Sequence, residues 1–164
     1  MEAGGERANA MLEDLRAAGF KVTPQRMAIV RLFANDHSHP TAQDLFERLR
    51  PAFPTMSFAT VYNTLDALAR AGLAGIVRLP GKRGDAARFD SNCGPHHHAV
   101  CDACGAVLDI TTGTLAPTPS AMKKLCRVAP GFTVRAVERI YRGRCARCAH
   151  RDRSETTTEG ESHG

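Results

Sequence analysis

Cys101 and Cys104, and again Cys145 and Cys148, form two Cys-x-x-Cys pairs with 40 residues between them. A two-residue gap lets both thiolates of a pair reach one tetrahedral ion, at a Zn–S distance of about 2.3 Å. Two such pairs complete a shell of four thiolates and leave no position open for a substrate. That arrangement points to a structural zinc. Reversible chemistry must then lie elsewhere, and the nearest candidates are His96, His97 and His98, just upstream of the first pair. On an extended segment, alternation puts His96 and His98 on one side and turns His97 to the other. His97 is therefore expected to stand outside any site that the other two build.

The elements that position these residues can be read from their caps and periodicity. The 164-residue chain is 43% hydrophobic but has no Trp and only 5% aromatic residues, so a metal staple would help a small core. No run of 18 apolar residues occurs and the first ten residues lack a signal-peptide core, so the expected location is the cytoplasm, with no membrane partner. Thiols stay reduced there and favour zinc over disulfides. The formal charge is +5 and falls to about +3 once four thiolates hold one zinc. Such a balance permits nucleic-acid binding without establishing it.

Four short helices are expected in the first half. Residues 8–18 carry Met11, Leu12 and Leu15 on one face and stop at Gly19. Thr23 caps a second helix with Pro24 in its first turn, and Met27, Val30 and Ala34 continue it, with Ile29 and Phe33 alongside. Thr41 and Asp44 form a capping box for a third, which carries Leu45, Phe46 and Leu49. Ser57 opens a fourth that runs to Gly72. Its Val61, Leu65 and Leu68 face inward, while Phe58, Tyr62, Asn63, Asp66 and Arg70 lie opposite. Two β-like runs, 74–79 and 86–90, then flank a turn with Lys82 and Arg83 at its tip. Helices followed by a basic-tipped hairpin are the plan of a winged helix-turn-helix. Strands are expected at 98–101, 106–110 and 132–141, with a helix over 118–128 that takes Cys126 as a small core residue. The fold class is therefore α+β: a winged-helix domain over 1–90, a small α+β domain over 91–150 with the four-cysteine zinc, and a polar, disordered tail over 151–164.

These motifs, taken in order, resemble the ferric uptake regulator (Fur) family of bacterial metal-responsive repressors. The resemblance rests on Thr23-Pro24-Gln25-Arg26, His39-Pro40-Thr41, Ser57-x-Ala59-Thr60-Val61-Tyr62 and Arg88-Phe89-Asp90. It continues through His96-x-His98-x-x-Cys101-x-x-Cys104-Gly105 and Cys145-x-x-Cys148. It implies DNA binding by the first domain, homodimerisation through the second, and operator binding gated by a regulatory metal. Asp90 after Arg-Phe, Asp109 five residues after Cys104, and Asn63 after Tyr62 are most similar to the peroxide-sensing branch. Iron-uptake regulators usually carry Glu at the position of Asp109 and Arg at that of Asn63.

Carried over position by position, the regulatory ligands are His39, Asp90, His96, His98 and Asp109. Imidazole and carboxylate donors without a thiolate suit Fe(II) or Mn(II) better than zinc. In the peroxide-sensing branch a ligand histidine is oxidised, which here points to His39 and His96. A second reading stays open, an iron- or zinc-uptake regulator of the same family, and Cys93, three residues before His96, bears on its zinc form. Zinc-sensing relatives recruit a cysteine ten residues before the first zinc pair, a register that holds Ser91 here. On the fourth helix Tyr62 can meet a thymine methyl and Asn63 can pair with adenine, so an A·T-rich palindromic operator is expected. Lys21, Arg26, Lys82 and Arg83 are the expected phosphate or minor-groove contacts. An enzyme is not expected: the four thiolates leave no open position, and no Gly-rich phosphate cradle accompanies the histidines.

Overall fold

The computed structural model describes residues 3–78, 87–111, 118–133 and 139–151. The chain divides into two compact units, Met1–Cys93 and Gly94–Gly164. The first runs α1 (Ala3–Ala17), α2 (Pro24–Phe33), α3 (Ala42–Leu49), α4 (Phe58–Arg70), β1 (Gly75–Val77) and β2 (Arg88–Asp90). The second contains β3 (His97–Cys101), β4 (Val107–Ile110), α5 (Pro119–Val128) and β5 (Ile140–Gly143).

The helix starts are where the caps place them. Thr23 Oγ1 accepts the Arg26 N–H at 3.2 Å. Thr41 Oγ1 accepts the Asp44 N–H at 3.1 Å while the Asp44 carboxylate accepts the Thr41 N–H at 2.8 Å, a closed capping box. Ser57 Oγ takes the Thr60 N–H at 3.1 Å. Each bond satisfies an amide that the first helical turn leaves without a partner. Helix α1 begins five residues earlier than the apolar pattern suggested.

One apolar core holds the first unit. Leu15, Ile29, Val30, Phe33, Leu45, Val61, Leu65 and Leu68 are wholly buried in it. Met27 and Phe46 are half-buried and pack at its margin. Strands β1 and β2 pair antiparallel with Gly75 opposite Asp90. The segment before α3 is strapped to β2: the Phe89 N–H donates to Pro40 O at 2.9 Å, and Thr41 bridges to Arg88. This is a winged helix-turn-helix; the hairpin tip, 79–86, with Lys82 and Arg83, lies outside the described residues.

The second unit has a three-stranded sheet in the order β4-β3-β5, with β3 antiparallel to β4 and parallel to β5. The strand expected at 132–141 is described only in part. Residues 132–133 are not extended pairing partners, 134–138 lie outside the described residues, and the strand begins at Ile140. Residues 146–151 are helical, and the tail from 152 and the Cys126 side chain also lie outside the described set. Among the described residues no helix is long and apolar enough to cross a membrane.

Candidate metal centres and nucleic-acid surface

The turn after β3 builds half of the thiol cluster. Cys101 ends the strand, the Gly105 N–H returns to Cys101 O at 2.8 Å, and the Cys101 N–H reaches Ala106 O at 2.9 Å. Gly105 sits at φ +72, left-handed backbone that a side chain would disfavour. The other pair stands where β5 passes into the helix at 146–151, and the Asp102 N–H to Gly143 O bond, 2.8 Å, ties the two segments together. All four sulfurs lie within 4.8 Å of one another. A tetrahedron with arms of about 2.3 Å has edges of about 3.8 Å. Cys104 Sγ and Cys145 Sγ are 3.8 Å apart.

Electrostatics agree with geometry. The Cys145 N–H, donated to Cys101 Sγ at 3.3 Å, holds that thiol down to about 6. Hydrogen bonding to the Cys145 and Cys104 sulfurs pushes Cys148 up to about 12. The four-cysteine cluster fits a structural zinc.

In the first unit, His39 and Asp90 are neighbours, with His39 Nε2 3.7 Å from Asp90 Oδ1. His39 is wholly buried and Asp90 is 4% exposed. Their positions follow from the strap on β2. The Arg88 guanidinium donates to His39 O at 3.0 Å, and the Asn92 N–H holds Asp90 Oδ1 at 2.7 Å. His39 takes φ +54, a left-handed backbone rare for a side-chain-bearing residue and rarer before proline. Such strain persists only where surrounding bonds over-determine it. Gly75 faces Asp90 across the ladder, and a Cβ there would stand 3.3 Å from the Asp90 Cβ. Arg88 and Gly75 were missed as supports. The motif Arg88-Phe89-Asp90 marked the place, but no spacing rule reveals what a guanidinium grips.

In the second unit, the β3–β4 register sets His98 directly opposite Asp109. His96, one residue ahead of β3, turns to the same group: His96 Nε2 lies 2.9 Å from His98 Nε2 and 3.4 Å from Asp109 Oδ1. His98 Nε2 is 3.9 Å from the same oxygen. At 2.9 Å one ring donates to the other, the roles depending on tautomer. Histidine and carboxylate donors without sulfur fit Fe(II) or Mn(II). His97 is buried beside Tyr141, with ring centroids 6.3 Å apart.

On α4, Tyr62 and Asn63 are exposed, and Lys21 is exposed ahead of α2. Arg26 is more committed than its charge suggested. Its Nε donates to Thr64 Oγ1 at 3.5 Å and its guanidinium also donates to Lys21 O, which fixes α2 against α4.

A family model described as the ferric uptake regulator family matches residues 17–125. Over 98 residues the chain is 41% identical to the peroxide-responsive repressor PerR of Staphylococcus epidermidis. That match covers 60% of this chain and 63% of the relative, a little under two thirds of its length. A longer match of 137 residues, 34% identical, covers 84% of this chain and 88% of the peroxide-responsive repressor PerR of Staphylococcus aureus. Among solved structures, a zinc uptake regulator complexed with zinc and DNA is similar at 23% identity and a TM-score of 0.63. It covers 93% of this chain and 99% of that chain, a likeness of fold.

Proposed function

Because this chain belongs to the ferric uptake regulator family, we propose that it is a metal-dependent, DNA-binding transcriptional repressor that senses hydrogen peroxide in the cytoplasm. The observation that carries the reading is the pair of sulfur-free donor groups, His39 with Asp90 in one unit and His96, His98 and Asp109 in the other. Four of the six thiols are gathered into the cluster that fits zinc. The name of the PerR relatives supports the peroxide branch.

In this reading one Fe(II) or Mn(II) is held by all five donors. Because they come from both units, binding selects a particular pose of the winged helix against the second domain. In a homodimer that pose sets the separation of the two α4 helices, and the half-sites of an A·T-rich palindrome demand one spacing. Tyr62 and Asn63 read bases, while Lys21, Lys82 and Arg83 contact phosphates or the minor groove. Arg26 adds charge while bracing α4. Operator and metal must then tighten each other by the same factor.

Fe(II), when bound, would activate hydrogen peroxide by one-electron reduction, which Mn(II), the weaker reductant, does not; in the net reaction one peroxide oxygen goes to an imidazole carbon and the other leaves as water. His39 and His96 are the ligand side chains that take up oxygen. An imidazole so altered is a poorer donor, and the DNA-competent pose is lost. The test is an operator shift with Fe(II), Mn(II) or Zn(II), each with and without peroxide, followed by mass spectrometry. Loss of binding only in the iron arm, with one oxygen atom added to His39 or His96, is the expected result. Loss of binding with both histidines unmodified would overturn the oxidation step.

Zinc sensing through Cys93 is the second reading, favoured by a solvent-accessible thiol three residues before His96. Partial burial and the Asp90 carboxylate push this thiol up, so it stays protonated near neutral pH, a poor state for a ligand. A repressor equally active in the zinc arm would select this reading.

A further inference from the structure

Phe58 is the first residue of α4 and stands one helical turn ahead of Tyr62, on the same face. It is 43% exposed and Tyr62 47% exposed, with ring centroids 6.4 Å apart and planes inclined by 32°. The first unit contains six phenylalanines, and the other five are buried or half-buried. Nothing about starting a helix calls for a phenyl ring there, because Ser57 already supplies the cap. The ring is also braced. Phe46 of α3, itself packed at the edge of the core, meets it edge-on at 6.0 Å and 89°. A side chain with two torsions, held on one side, loses little freedom on binding.

In a helix-turn-helix the N-terminal residues of the second helix meet base edges in the major groove. A phenyl ring offers no donor or acceptor. The one apolar group on the floor of that groove is the C5 methyl of thymine. Pressed against cytosine or guanine, the same ring would strip water from polar groups and give nothing back.

From this placement we propose that Phe58 is a specificity-determining residue that reads a thymine methyl in each operator half-site, separate from the thymine met by Tyr62. The proposal rests on the DNA-binding reading above. If Phe58 served only to staple α3 to α4, its loss would weaken binding to every sequence alike.

The test is a protein–DNA double-mutant cycle. The Mn(II)-loaded full chain first selects its duplex from a random pool. Each thymine of that duplex is then replaced singly by deoxyuridine, which deletes only the methyl. Binding is measured by fluorescence anisotropy for the wild type, Phe58→Ala and Phe58→Leu. At one thymine per half-site, uracil should weaken the wild type about fourfold, the value of one buried methyl-sized group, and leave Phe58→Ala unaffected. A second thymine should stay sensitive in both. Phe58→Leu keeps an apolar side chain at the start of α4 and should show a reduced response at the first position, which secures the result should the alanine variant fold poorly. The same uracil pattern in all three proteins overturns the role of Phe58 alone. Recovery of no metal-dependent duplex overturns the DNA-binding reading, and this one with it.

Discussion

Among the described residues, the two units bury different groups. In the first, apolar side chains from four helices close a core of wholly buried Leu, Ile, Val and Phe residues. In the second, the described buried apolar residues are Val100, Val107, Cys101 and Cys148, and two of these four are thiols of the metal cluster. Among the described residues, hydrocarbon closes the first unit, while half of the buried apolar positions of the second belong to the thiol cluster that fits zinc. The proposed metal chemistries divide in the same way: a sulfur shell suits a permanent ion, while nitrogen and oxygen donors suit an exchangeable one.

Removing zinc with a strong chelator should break the comparison most visibly. Structural zinc contributes on the order of 10–16 kcal/mol in small domains. Hydrogen exchange should show β3, β4 and β5 losing protection while α2 and α4 keep theirs. Equal loss in both units would contradict separate supports. The converse is Leu65→Ala in the wholly buried core of the first unit. A cost of about 2–5 kcal/mol to that unit is expected in denaturant unfolding, with zinc retained. Asn63→Ala is a surface change, since Asn63 is exposed on α4. It should cost about 1–3 kcal/mol of operator affinity, relax the choice at one base pair, and leave thermal unfolding unmoved. Smallest is Gly75→Ala, which crowds the Asp90 side chain. It should weaken Mn(II) binding by about 1 kcal/mol in calorimetry, with zinc content unchanged.

Much of this was legible in the chain, and for physical reasons. Caps are local, so Thr23, Thr41 and Ser57 announced their helices, and the inward stripe of α4 followed from a period of 3.6. The zinc cluster was legible because its chemistry fixes residue type and spacing together. Supports that reach across the chain were not. Arg88 grips a carbonyl 49 residues away, and nothing at either position advertises the bond. The left-handed His39 was equally hidden, because a histidine before proline gives no hint of positive φ.

The central claim is that an exchangeable ion held by nitrogen and oxygen donors controls operator binding while the sulfur-bound zinc does not. The most direct measurement is operator affinity of the zinc-loaded protein across a Mn(II) titration at fixed salt, for the wild type and His39→Ala. A gain of about tenfold or more in the wild type, absent in the variant, is the predicted outcome. Equal operator affinity with and without Mn(II) would contradict it.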